Sequence, residues 1–129
     1  MPLIRMDVIE GRTEEELKLV ADAIHDAVVE SFEVPERDRY QIINQHKLYE
    51  MYIEDTGLDF ERTNNIVVIQ VISKTRTAEQ KKQLYKKIAN NLQDRCSIDP
   101  EDVMVSITDN TEADWSFGLG EAQFLNGKL

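Results

Sequence analysis

Arg12-Thr13-Glu14-Glu15 returns 64 positions later as Arg76-Thr77-Ala78-Glu79, with the arginine, the threonine and the second acidic residue kept. Pro35-Glu36 also returns, as Pro100-Glu101, 65 positions on, so the second copy carries one extra residue. In both copies an apolar run precedes Arg-Thr, a helical pattern follows it, and a short apolar run comes after Pro-Glu. That order describes a β-α-β unit used twice, and a repeat of this length speaks to architecture before any local motif does.

Working outward from the repeat, residues Pro2 to Ile9 read as a strand, with Ile4, Met6 and Val8 on one face and Arg5 and Asp7 on the other. Gly11 ends it. Thr13 and Glu16 are spaced as a capping box, and Leu17, Val20, Ala21, Ile24, Ala27 and Val28 then form one helical stripe. Pro35 stops this helix near Phe32. Tyr40 to Ile43 read as a short second strand. From Asn44 to Asn65 the pattern weakens: Tyr49 to Ile53 fit either a small strand or a loop, and Asp55-Thr56-Gly57 is a turn. The β-branched run from Ile66 to Ile72 reads as a strand buried on both faces. Thr77 and Gln80 make a second capping box, Leu84, Ile88 and Leu92 a second stripe, and Val103, Val105 and Ile107 a fourth strand.

The expected fold is therefore α/β (α+β): one domain over residues 1–129, with repeats at about 2–63 and 64–129. Its four strands form one mixed sheet. Right-handed crossovers put both helices on one face of it. The other face then needs cover, for which another copy of the chain is the simplest source, and an oligomer is expected. Trp115, Phe117, Phe124 and Leu125 make the tail too apolar to hang free, so it should pack on something, a neighbouring subunit included.

A net charge of −10 argues against nucleic-acid binding, which needs a basic patch, although a few local cations still suffice for a small anion. The single cysteine excludes a disulfide framework and a cysteine-based metal site, and the two histidines, His25 and His46, have no metal-ligand spacing. No metal and no cofactor are expected. Charged residues Arg5, Asp7 and Glu10 stand where a signal peptide needs an apolar run, and no stretch approaches membrane-spanning length. A cytoplasmic protein without a membrane partner is the expectation.

Three places carry chemistry. Removal of Met1, usual before a small residue or proline, would leave Pro2 as a secondary amine at a strand start, able to act as acid, base or iminium-forming nucleophile. Lys74 and Arg76 are two apart at a strand exit beside a helix N-terminus. In extended geometry they point the same way and suit a carboxylate; the alternative is a pair of solvated strand-end charges. Asp38 precedes the second strand, where it can hold a protonated amine or form a surface ion pair with Arg37 or Arg39.

With Pro2, the duplication and Arg76 in view, the chain resembles the tautomerase superfamily, whose members use an N-terminal proline in a duplicated β-α-β fold. Within it the similarity is greatest to the malonate semialdehyde decarboxylases. It is carried by Glu10-Gly11-Arg12-Thr13, by Val34 through Ile42, by Glu54-Asp55-Thr56-Gly57-Leu58 and by the long stretch from Asp114 to Phe124. The resemblance implies a homotrimer, Pro2 as catalytic amine, Asp38 as its acidic partner and Arg76 as carboxylate binder. It implies a small substrate with a carbonyl and a carboxylate, and Trp115 and Phe117 are candidates for an apolar wall beside it. One departure stands out: the decarboxylase pattern has arginine at both cation positions, and this chain has Lys74 at the first. Decarboxylation of malonate semialdehyde or a similar 3-oxo acid is the expected activity. Keto-enol tautomerisation of a 2-oxo acid such as phenylpyruvate is the alternative. A non-catalytic binding or signalling module, as in macrophage migration inhibitory factor, is the reading from a different class.

Overall fold

The structure, a computed structural model, describes residues 2–129; Met1, whose removal the sequence reading invokes, lies outside the described residues. The order of elements is β1 (Leu3–Ile9), α1 (Glu14–Phe32), β2 (Tyr40–His46), β3 (Val67–Lys74), α2 (Ala78–Cys96) and β4 (Val103–Asn110). The strands form one sheet in the order β2-β1-β3-β4. β1 runs parallel to β2, β3 parallel to β4, and β1 antiparallel to β3. The result is the mixed four-stranded sheet of two β-α-β units joined side by side.

Both capping boxes form. The Thr13 hydroxyl accepts from the Glu16 amide at 3.1 Å while the Thr13 amide donates to Glu16 at 3.0 Å, and Thr77 and Gln80 repeat both bonds at the same distances. Each helix is 19 residues long and ends on a left-handed residue, Glu33 or Ser97, again 64 positions apart. The strands keep a different count. Ile4, Met6 and Val8 match Val67, Ile69 and Val71 on the same sheet face, 63 positions on, so the second copy gains one residue between β3 and α2 and another between the end of α2 and Pro100.

Those six side chains face the helices and are at most 2 % exposed. Against them pack Val20, Ile24, Ala27 and Val28 of α1 and Leu84, Ile88 and Leu92 of α2. Each buried aliphatic side chain contributes on the order of 2 kcal/mol through removal from water. The helices lie against each other through the fully buried Ala23, whose carbonyl accepts from Asn91 Nδ2 at 3.0 Å. Ion pairs Lys87–Glu30 and Arg95–Asp26 flank that contact.

The expectation that β3 is buried on both faces is corrected. Its helix-facing row is buried, but on the other face Val68 and Ile72 are half-buried and Gln70 is exposed. The reason is that both crossovers leave their helices on one side, so within the protomer only the C-terminal tail reaches the second face, at Tyr40 and Lys74. Tyr40, Ile42 and Met104 are exposed there among Arg5, Gln70, Ser106 and Thr108. The segment after β2 contains one 3-10 turn, Leu48–Glu50, and no strand between it and β3. Of the apolar tail residues, Trp115, Phe117 and Phe124 pack within the chain, whereas Leu125 is exposed. Trp115 stacks on Phe117 at 5.4 Å, and Phe117 meets Tyr40 at 5.4 Å and the edge of Phe124 at 5.6 Å.

Candidate active site

The strand directions bring the candidate residues to one sheet edge. β1 and β2 begin there and β3 and β4 end there. Leu3 pairs with Tyr40 on one side and Ile72 on the other, so the preceding residue, Pro2, stands between Arg39 and Ser73. Pro2 is buried.

Arg76 leaves the end of β3 toward the end of α1. Its Nε donates to Ser73 Oγ at 3.3 Å, its Nη1 donates to the Phe32 carbonyl at 3.2 Å, and its guanidinium lies 4.7 Å from the centre of the Phe32 ring. Burial pushes its pKa down, and the charge of Asp38 pulls in the opposite direction. Arginine stays cationic under either influence. Arg76 is thus partly withdrawn from water and close enough to Asp38 to feel its charge. Asp38 itself is half-buried at the turn before β2, its amide donating to the Pro35 carbonyl at 3.0 Å.

Lys74 does not join Arg76 within the protomer, contrary to the expectation that both side chains point the same way. It belongs to the sheet face away from the helices, where its ammonium sits 4.6 Å from the Phe124 ring centre and 3.5 Å from Glu112 Oε1. The two-residue alternation holds only while the backbone stays extended. β3 ends at Lys74, and the chain then turns into the Thr77 cap, which swings Arg76 to the helix side.

Leu3, Tyr40, Trp115, Ser116 and Phe117 line a cleft of about 210 Å³ at this edge. Trp115 is aimed by a 2.8 Å bond from its Nε1 to Asn110 Oδ1, at the end of β4. The turn ahead of it is closed by Asp114, which accepts from the Thr111 amide at 2.7 Å and the Thr111 hydroxyl at 2.9 Å. Those bonds hold the Asp114 carboxyl below its ordinary pKa. Gln123 then ties the loop, accepting from the Phe117 amide and donating to the Gly118 carbonyl, both at 2.9 Å.

Ser73, Phe32, Tyr40 and Leu3 were not singled out from the sequence as site residues. Ser73 had a signal: it breaks the helix-facing row Val67, Ile69, Val71 with a hydroxyl that is fully buried. Phe32 had none, since a phenylalanine closing an amphipathic helix looks like any core residue. Among the described residues, no three His, Cys, Asp or Glu side chains gather in a way that could hold a metal ion, and no helix is long and apolar enough to cross a membrane.

The arrangement is a buried proline at residue 2, a fixed guanidinium, a carboxylate whose charge acts on it and an aromatic cleft, on a duplicated β-α-β sheet. Two family models described as tautomerase enzymes match the chain, one over residues 38–118 and the other over residues 2–61. The chain belongs to the tautomerase family. It is 54% identical over 129 residues to the probable tautomerase YrdN of Bacillus subtilis (strain 168), with all of both chains covered. Among solved structures it is similar to a malonate semialdehyde decarboxylase studied in wild-type, proline-to-alanine and inactivated forms. That likeness has a TM-score of 0.97 and 46% identity over 98% of each chain. A second malonate semialdehyde decarboxylase, inhibited by 3-bromopropiolate, is 40% identical at a TM-score of 0.94, covering 98% of this chain and 97% of that one.

Proposed function

We propose that this tautomerase-family protein is a cofactor-independent decarboxylase of malonate semialdehyde or a close 3-oxo acid, with Pro2, freed by removal of Met1, as its catalytic amine. The observation that supports the reading is the strand register, which puts Pro2 and the turn that holds Asp38 at the sheet edge where Arg76 follows β3, with the charge of Asp38 acting on Arg76. Similarity to the two decarboxylases supports it.

The chemistry follows from the substrate. A 3-oxo acid loses carbon dioxide when the electron pair of the breaking C–C bond moves onto the carbonyl system, leaving an enolate. Protonated Pro2 donates a hydrogen bond to the carbonyl oxygen and stabilises the charge that develops there. In the covalent variant, neutral Pro2 adds to the aldehyde, loses water and becomes an iminium that accepts the same electron pair. Protonation of the carbon that has lost carbon dioxide and, in the covalent route, hydrolysis of the iminium yield the aldehyde. Arg76 holds the carboxylate and fixes the angle of the breaking bond. Its grip must not favour the ground-state carboxylate over the transition state, or the clamp would slow the reaction. Asp38 favours the ammonium form of Pro2, since a neighbouring anion raises an amine pKa. Trp115 and Phe117 keep water out of the cleft.

The protein acts as a homotrimer in the cytoplasm, with the sheet face that carries Tyr40, Ile42 and Met104 turned inward. Two observations favour a second reading, keto-enol tautomerisation of a 2-oxo acid by neutral Pro2. The curated relative at 54% identity bears the name of a tautomerase. Lys74 is also engaged by Glu112 and Phe124, which leaves Arg76 to hold the carboxylate. A panel of 3-oxo and 2-oxo acids, followed by carbon dioxide release and by enol absorbance, separates the two. Turnover of the 3-oxo acids with carbon dioxide release is expected. Enol formation alone would replace the first reading by the second.

A further inference from the structure

We infer that Ser73 is a positioning residue, whose hydroxyl locks Arg76 so that the terminal Nη1–Nη2 edge of the guanidinium is the face that receives a carboxylate. The inference rests on the reading of Arg76 as the carboxylate binder and deepens it.

A guanidinium has five N–H donors in a rigid plane, and a carboxylate can dock on its Nε–Nη2 side or across its Nη1–Nη2 end. Here the choice is made by the protein. Nε is occupied by Ser73 Oγ and one Nη1 hydrogen by the Phe32 carbonyl. The Phe32 ring, itself 2 % exposed, covers one face of the plane. With Nε taken, the Nε–Nη2 side cannot offer two donors to a carboxylate; three hydrogens remain, two on Nη2 and one on Nη1, and one of those on Nη2 faces the terminal edge.

Ser73 is fully buried at the end of a row that is otherwise Val67, Ile69 and Val71, where an apolar side chain would pack without a polar atom to satisfy. Its place in the antiparallel register sets it against Pro2. The group that fixes the carboxylate clamp therefore belongs to the residue beside the catalytic amine, and one short backbone segment sets the offset between the two.

The duplication supplies an internal comparison. Arg12 occupies the same place ahead of α1 that Arg76 occupies ahead of α2, yet it has neither holder. Ile9 and Glu10 precede it instead of a buried serine, and Cys96 stands 64 positions after Phe32, where the aromatic ring would be. Arg12 instead donates Nη2 to the Asn65 carbonyl at 2.8 Å. The serine and the phenylalanine occur only at the edge that has Pro2.

The test is calorimetric titration of the full chain with malonate, a dicarboxylate with no aldehyde, whose binding does not require turnover. Ser73→Ala should weaken malonate about tenfold, as loss of a charge-assisted bond does. Ser73→Cys, which keeps the shape but is a poor acceptor, should weaken it equally. In an Arg76→Lys background, which lacks Nε, neither change should weaken it further. Unchanged affinity in Ser73→Ala, full affinity in Ser73→Cys, an equal further loss in the Arg76→Lys background, or no malonate binding by the parent protein would each overturn the inference. Serine-dependent binding in a protein that decarboxylates no 3-oxo acid would keep the inference and remove the proposed activity. Serine-independent binding in an active decarboxylase would do the reverse.

Discussion

Lys74 holds its ammonium 4.6 Å above the centre of the Phe124 ring, joining the end of β3 to the C-terminal tail. The contact closes the site edge from the side opposite Arg76. Lys74→Arg keeps both the charge and the stacking, so tail order and kcat/KM should stay within about threefold of the parent. Lys74→Met removes the cation, and hydrogen exchange at the amides of residues 122–126 should speed up by about fivefold. Unaltered exchange in Lys74→Met would mean that the tail is held by its aromatic contacts alone.

Arg76→Ala removes a fixed fork from the site. If that fork binds the substrate carboxylate, kcat/KM falls by about 10², or roughly 3 kcal/mol of transition-state stabilisation. Parental kinetics in this variant would return Arg76 to the role of a solvated strand-end charge.

The pH dependence of the wall can be read from Trp115, the only tryptophan of the chain. The Thr111 amide and then its hydroxyl hold the Asp114 pKa below the ordinary value of 3.8. A carboxyl depressed in the folded state contributes its stabilisation above the unfolded pKa and loses it as pH falls through the lower, folded value. Trp115 emission should therefore be steady from neutral pH to about pH 4 and change only below that. Asp114→Ala should show altered emission already at neutral pH, with helical circular dichroism retained. A transition near neutral pH in the parent protein would contradict this assignment.

The core sets the stability of the frame. Leu84 is fully buried between α2 and the sheet, so Leu84→Ala should cost about 2–5 kcal/mol in denaturant unfolding. Leu119 is 90% exposed, and Leu119→Ala should stay within about 0.5 kcal/mol. Equal effects would show that the apolar rows are misassigned.

Much of the architecture is legible in the sequence because its signals are local. Thr13 with Glu16, Thr77 with Gln80, and the stripes after them fix both helices by spacing alone, and alternation fixes β1 and β4. Burial on the second sheet face is not legible, because the composition of β3 cannot say whether a helix or another copy covers Val68 and Ile72. Pro2, Asp38 and Arg76 could be selected by residue type and resemblance. The direction of Arg76 relative to Lys74 could not, since it depends on where β3 stops. Nor could the partnership of Phe32 with Arg76, 44 residues apart in sequence, which exists only once α1 and β3 share a sheet edge.

The central claim is that the chemistry belongs to the free amine of Pro2, and it is tested most directly by carbon dioxide release from malonate semialdehyde. The parent protein and Pro2→Ala are compared, with intact mass confirming that each has lost Met1. Alanine keeps an amine but loses the ring that fixes its direction, so the rate should fall by about 10² or more. A parental rate in Pro2→Ala, or a full rate in protein that retains Met1 and so has an amide at residue 2, would contradict the account.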